Sequence, residues 1–215
     1  MVENKKIQDI RINYKKKSLD AKDVSLCPYV QFDKWFNETM KSGILEPTAF
    51  ILATADKNAK PSARTLLMKG YDGGGFYFYT NYESRKGKEL AENNQASMLF
   101  FWSELERQIR IEGKVKKVSE DESFAYFKTR PFKSRVGAWA SNQSTVINSR
   151  MTIVKKFFLY ISKFHSKDIP LPPYWGGYKL IPDYFEYWQG RENRLHDRIC
   201  YRLNDGVWII ERLSP

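Results

Sequence analysis

The sequence predicts a mainly β fold with flanking helices, an α+β class in which short antiparallel strands curl into a barrel. Three observations predict it. From Ala49 to Ser119 short apolar, β-prone runs alternate with polar turns, helical periodicity dominates the stretch that follows, and β-prone runs return from Trp175 to the C-terminus. The order β-rich, helical, β-rich fits a barrel closed by late strands with helices packed outside.

Each element has its own signal. Phe32, Trp35, Phe36 and Met40 recur at helical spacing and Gly43 follows, so an amphipathic helix with a left-handed cap is expected, its apolar face in the core. AFILATA from Ala49 ends in the polar turn Asp56 to Lys60, and SARTLLMKGYD resumes after it as the second arm of a hairpin. Gly73 to Gly75 turn the chain into FYFYT. A short charged helix from Arg85 to Glu92 precedes ASMLFFW and RQIRIEGKVKKVS. Ser119 and Glu122 have the spacing of a capping box, so a helix begins there and stops before Pro131. A longer helix from about Asn148 carries Ile153, Val154, Phe157, Phe158, Ile161 and Phe164 on one stripe. WGGYKLI, YFEYWQG, RICYR and VWIIERL then read as strands, the last two joined through Asn204, Asp205 and Gly206.

Residues 1–25 are polar and basic with few apolar anchors and read as a flexible arm; residues 26–215 read as one domain, since no repeat or linker divides them. The net charge of +11 comes from Lys and Arg spread over the whole length and points to anionic partners. Cys27 and Cys200 form no spaced framework, which suits a reducing compartment. With no long apolar run and no secretory core at the N-terminus, a cytoplasmic protein is expected.

No P-loop, CxxC, GxSxG or strand-borne GxGxxG is present, and with only two histidines no metal site is expected. Cationic and polar residues instead sit within or at the ends of apolar strands. Arg64 and Lys69 bracket TLLM, and Thr80, Ser84, Arg85 and Lys86 follow FYFYT. Phosphate oxygens would satisfy such a set: Arg offers a planar fork, Lys a point charge, and the helix start at Ser84 adds backbone donors. Each of these residues alone reads better as part of a solvated basic face; together they point to an anion site. In YFKTRPFKSRVGAWASNQS, Tyr126, Arg130 and Ser134 converge on another anion just past a helix end, with Gln143 and Ser144 as neutral partners. Near the C-terminus Trp188 offers an aromatic face, and Arg194, His196 and Arg198 alternate, so an extended segment would point all three one way.

Through these residues the sequence resembles the pyridoxamine 5'-phosphate oxidase family from about Ile10 to Pro215. The motifs that carry the likeness are RTLLMK, FYTNYESRK, ERQIRIEG, YFKTRPFKSRVGAWASNQS, PPYWGGY, FEYWQGRENRLHDR and the terminal ERLSP. The resemblance implies an FMN-binding split β-barrel and a homodimer with two active sites at the subunit interface. By position it assigns FMN to Arg64, Thr65, Leu66, Leu67, Met68, Lys69, Tyr79, Thr80, Arg85, Lys86, Gln108, Gln143, Ser144, Trp188 and Arg198. It assigns a phosphorylated B6 vitamer to Lys69, Tyr126, Arg130, Ser134, Arg194 and His196, the last two as the catalytic pair that holds the pyridine ring from the side away from the flavin. Arg11 and Tyr14 of the arm match the segment that closes over the ligand. The implied reaction is oxidation of pyridoxamine or pyridoxine 5'-phosphate to pyridoxal 5'-phosphate by O2, with H2O2 released and, from the amine, ammonia.

Two other readings compete. Another FMN split-barrel enzyme with a different substrate would keep the first cluster and lack the second. Tyr126, Arg130 and Ser134 with RLHDR argue against it. A basic nucleic-acid-binding domain would explain charge and aromatics, but the cations are interleaved with strand ends and not gathered in a stripe.

Overall fold

The computed structural model of the chain describes residues 13–165 and 167–215. Helix α1 (Pro28–Lys41) comes first, followed by β1 (Ala49–Ala55), β2 (Pro61–Leu67), β3 (Gly70–Asp72), β4 (Gly75–Asn81), α2 (Arg85–Glu92), β5 (Gln95–Trp102) and β6 (Arg107–Lys117). Helices α3 (Glu120–Thr129), α4 (Phe132–Ala140) and α5 (Arg150–Phe164) follow, then β7 (Trp175–Gln189), β8 (Asp197–Asn204) and β9 (Val207–Leu213). Hydrogen-bonded neighbours run β2-β1-β5-β6-β7-β4-β3, with β8 on β7 and β9 on β8. Among the described residues no helix is long and apolar enough to cross a membrane.

Contacts group the described residues into two compact units. The larger comprises Thr48–Met98 and Glu112–Pro182. Its hairpin β1-β2 pairs Ala49 with Leu67 through Ala55 with Pro61, and the Asp56 carboxylate closes the turn by accepting from Asn58 N and Lys60 N at 2.9 and 3.0 Å. Phe50, Leu52, Phe76, Phe78 and Leu180 form its core, and Phe127, Val136, Phe164, Ile169 and Trp175 a second cluster. The other unit holds the described residues before Thr48 with Leu99–Ile111 and Asp183–Pro215, and centres on Phe32, Trp35, Phe100, Trp102, Phe185 and Tyr187.

The caps form as the sequence dictates. Ser119 and Glu122 close the capping box at the start of α3, and Gly43 takes φ +79° just past α1. On α1, however, the buried face is Gln31, Phe32, Trp35 and Thr39; Met40 is exposed because it stands two turns plus about 80° beyond Phe32. Phe158 of α5 is likewise exposed, off the Phe157–Ile161–Phe164 side. Helix α4, between the two helices that the sequence predicts, follows at once on the proline that ends α3: Pro131 is its N-cap, so Ser134 lies in the first helical turn. WGGYKLI and YFEYWQG are one strand, not two. Pro182 is tolerated because β4 pairing stops at Leu180 and β8 pairing starts at Tyr184, so along that side no ladder partner requires its missing N–H.

Helix α2 comes close to the chain before it. A Cβ on Gly87 would lie 2.1 Å from the Tyr82 carbonyl oxygen. Gly87→Ala is therefore expected to destabilise the protein by about 3 kcal/mol, the upper end for overpacking. Chemical denaturation measures this, and a midpoint equal to that of the parent chain would show that the turn yields freely.

Candidate functional site

Strand alternation puts Ser62 and Arg64 on the same side of β2, and β1 brings Thr54 opposite Ser62. Arg64 donates to the Leu52 carbonyl at 3.1 Å, to the hydroxyls of Thr54 and Ser62, and to Glu89 at 3.2 Å. The same Glu89 carboxylate accepts from Thr54 and Ser62 at 2.5 and 2.6 Å and, through its second oxygen, from Arg85 Nε at 2.8 Å. Burial opposes its ionisation, but the two hydroxyls and the charges of Arg85 and Arg64 outweigh it and hold the carboxyl at about 2.

Lys86 is different. It is 5% exposed, and among the described residues its Nζ reaches only the neutral oxygens of Thr80, Ser84 and Gln143 at 3.2 to 3.4 Å, with no carboxylate bonded to it. Burial first, and then the charge of Arg64, push its ammonium down to about 8. A buried ammonium with weak neutral partners at the N-terminus of α2, whose Ser84 cap accepts from Gly87 N, suits an anion.

A cavity of about 530 Å3 adjoins this group, with Thr80 and Gln143 in its wall. Thr65, Leu66, Leu67, Lys69 and Tyr79 line it from the strands, and Tyr126, Arg130 and Ser134 from the α3–α4 corner. Tyr79, Tyr126 and Trp175 form a triangle of near-parallel rings, with centroids 3.8 Å apart for Tyr79–Tyr126, 5.7 Å for Tyr79–Trp175 and 6.2 Å for Tyr126–Trp175. The Arg130 guanidinium lies 4.7 Å from the centre of the Trp175 ring. Its Nη1 is buried and has no hydrogen-bond partner among the described residues. Burial raises the Tyr126 hydroxyl, against the pull of Arg130, so it stays a neutral donor.

The other unit holds a separate cluster. His196 lies 4.7 Å from the Trp188 ring and 5.9 Å from Tyr14, and its Nδ1 accepts from Arg191 N, which leaves the proton on Nε2. Burial and then the charge of Arg194 lower its pKa, so the ring is neutral at pH 7. Arg198 donates to Glu186 at 2.8 Å and to the Ser214 carbonyl at 2.7 Å. The expected alternation of Arg194, His196 and Arg198 along one extended face fails: Glu192–Arg194 is a 3-10 turn with Arg194 at φ +62°, and β8 begins only at Asp197.

The structure thus gathers Thr65, Leu66, Leu67, Lys69, Tyr79, Thr80, Gln143, Tyr126, Arg130 and Ser134 around one cavity, and Arg64 with Arg85 on Glu89. Met68 is buried, with its N–H bonded to the Thr48 carbonyl. Ser144 is exposed at φ +69°, and Gln108 is half-buried on β6. From the arm, Lys15 N and Lys16 N bond Glu106 and Leu19 N bonds Asp197, while Arg11 lies outside the described residues. Sequence reasoning missed Glu89, signalled by its four-residue offset from Arg85, and Trp175, visible only as part of PPYWGGY. Among the described residues no group of three or more His, Cys, Asp or Glu is placed to hold a metal.

The family profile "Pyridoxamine 5'-phosphate oxidase" matches residues 36–159, and "Pyridoxine 5'-phosphate oxidase C-terminal dimerisation region" matches residues 175–215. The chain belongs to the pyridoxamine 5'-phosphate oxidase family. Among members of that family, the pyridoxine/pyridoxamine 5'-phosphate oxidase of Nostoc punctiforme is 51% identical over 99% of this chain and 100% of its own length. That of Burkholderia multivorans is 51% identical over 97% and 99%. The crystal structure of PhzG from Burkholderia lata, in complex with tetrahydrophenazine-1-carboxylic acid, superposes with a TM-score of 0.87 at 29% identity over 93% of this chain and 98% of that one. A pyridoxamine 5'-phosphate oxidase-related, FMN binding protein from Nostoc punctiforme shares the fold, with a TM-score of 0.69 at 20% identity over 89% and 100%. The mainly β split-barrel fold of the family, with its flanking helices, is the fold of this chain.

Proposed function

We propose that the protein is a cytoplasmic, homodimeric FMN enzyme that oxidises pyridoxamine 5'-phosphate or pyridoxine 5'-phosphate to pyridoxal 5'-phosphate with O2, releasing H2O2 and, from the amine, ammonia. The observation that carries this reading is the buried, unpartnered Nη1 of Arg130 in a cavity that Lys69, Tyr126 and Ser134 also line. This is a second anion site, beyond what the phosphate of a flavin requires. The names of the half-identical relatives support the B6 substrate, and the C-terminal match to a dimerisation region supports the dimer.

The cofactor fits the residues present. Lys86 lacks a carboxylate partner and sits at a capped helix start, so it would hold the FMN phosphate with Arg64 and Arg85; Thr65 to Lys69, Tyr79, Thr80, Gln108, Gln143, Ser144, Trp188 and Arg198 would complete the cofactor's surroundings. When bound, FMN would supply the two-electron redox chemistry between substrate and oxygen. The chain binds and orients. Arg130, Lys69, Tyr126 and Ser134 would grip the substrate phosphate by charge and hydrogen bonds. His196, neutral and with Nε2–H free to donate, and Arg194 would hold the pyridine ring. Residues 1–25 would act as the arm that closes over the ligand, a reading supported by the edge-on contacts of Tyr14 with Trp188 and His196.

Purified protein supplied with FMN is expected to show a flavin spectrum and to form peroxide on adding pyridoxine or pyridoxamine 5'-phosphate. The alternative is an FMN split-barrel enzyme for another substrate, a reading favoured by the likeness to PhzG, whose structure holds tetrahydrophenazine-1-carboxylic acid. Flavin binding without peroxide from either vitamer phosphate would select it.

A further inference from the structure

We propose that Glu89 is a positioning residue for the cofactor phosphate: one buried carboxylate on α2 sets both Arg64 and Arg85 in place. The inference rests on the FMN reading above. The geometry is a fork. One oxygen of Glu89 accepts from Arg64, Thr54 and Ser62 on the β1-β2 hairpin; the other accepts from Arg85 one turn earlier on α2. Two arginines from different elements are thereby fixed against a carboxylate that is itself 5% exposed, while Lys86 next to Arg85 is left without an acid. Arg64 is in turn close enough for its charge to act on Lys86.

Two effects of this carboxylate oppose each other. Its negative charge repels a phosphate, whereas its hydrogen bonds hold the guanidinium groups that a phosphate needs. The second wins on two grounds. Arg85 is 57% exposed along its side chain and has no other carboxylate partner among the described ion pairs, so without Glu89 it would swing into water. Arg64 would meanwhile face Lys86 without a counterion, disfavouring both charges. Rigid placement of donors before binding saves the ordering cost that a loose pair would incur at the moment of binding.

The test compares FMN with riboflavin, which lacks the phosphate, by quenching of flavin fluorescence on the flavin-free full-length protein. Glu89→Ala is expected to weaken FMN at least about tenfold, the scale of one charge-assisted contact, and to leave riboflavin within about twofold. Glu89→Gln keeps an acceptor oxygen without the charge and is expected to recover part of the loss; it also serves if the Ala variant does not fold. A purely structural role would lower the two affinities together and would overturn the proposal, as would FMN binding that is unchanged or tighter in the folded variants. If the parent chain itself shows no preference for FMN over riboflavin, the cofactor reading fails, and the positioning role with it.

Discussion

Arg130→Ala is expected to raise KM for pyridoxine 5'-phosphate by about tenfold to hundredfold while kcat changes little. Among the described residues Arg130 is held by aromatic faces, chiefly that of Trp175, and by no carboxylate, so its Nη1 stays available to the ligand. A grip on a remote phosphate is equally strong in ground and transition states, and such uniform binding appears in KM. One charge-assisted hydrogen bond is worth about 1.5 to 3 kcal/mol, which sets the size of the change. Steady-state kinetics with FMN saturating provides the measurement. A fall in kcat with KM unmoved would place Arg130 at the reacting carbon and undo its assignment to the grip on the phosphate.

Lys86→Met is expected to weaken FMN by a similar or larger factor, because it removes the one buried cation without a carboxylate partner in that cluster. The parent protein should also lose FMN affinity as pH rises through about 8, where the folded Lys86 gives up its proton and with it the attraction for phosphate. Stability of the flavin-free chain moves the opposite way. A lysine whose folded pKa lies below its ordinary 10.5 binds more protons when unfolded, so its contribution to stability rises with pH between about 8 and that value. Arg64 and Glu89 act on the same group with opposite signs, Arg64 the stronger. Flavin titrations from pH 6 to 9.5, paired with denaturation of the flavin-free protein, measure both trends. An FMN affinity that is flat across pH 8 in the parent, or that keeps the same step in Lys86→Met, would remove Lys86 from the phosphate site.

The strands and their turns were legible in the sequence because turn chemistry is local: Asp56, Gly73 to Gly75 and Asp205-Gly206 act within a few residues of themselves. The phosphate-suited residues were legible for a related reason, since cations within apolar strands need a purpose. What escaped depends on distant partners. The course of β7 through Pro182 is decided by where β4 and β8 end and begin, which no window of sequence contains. Helix α4 was hidden behind a proline read only as a stop. Glu89 was not singled out within the short charged helix, because its burial comes from the β1-β2 hairpin some 25 to 35 residues earlier. Arg194 was misplaced for want of a signal that the chain turns at Glu192.

The handover at Pro182 also bears on how this chain tolerates changes in length. Because side chains alternate strictly along a strand, losing or gaining one residue among 181–183 would invert the facing of everything from Tyr184 to Gln189 while leaving Trp175 to Leu180 untouched. Trp188 and the ion-paired Glu186 would exchange sides with Tyr187 and Phe185, placing a buried charge where two fully buried rings pack. Spacing there is therefore as constrained as identity: substitution at the exposed positions Ile181 and Asp183 is open to drift, whereas insertion or deletion is closed.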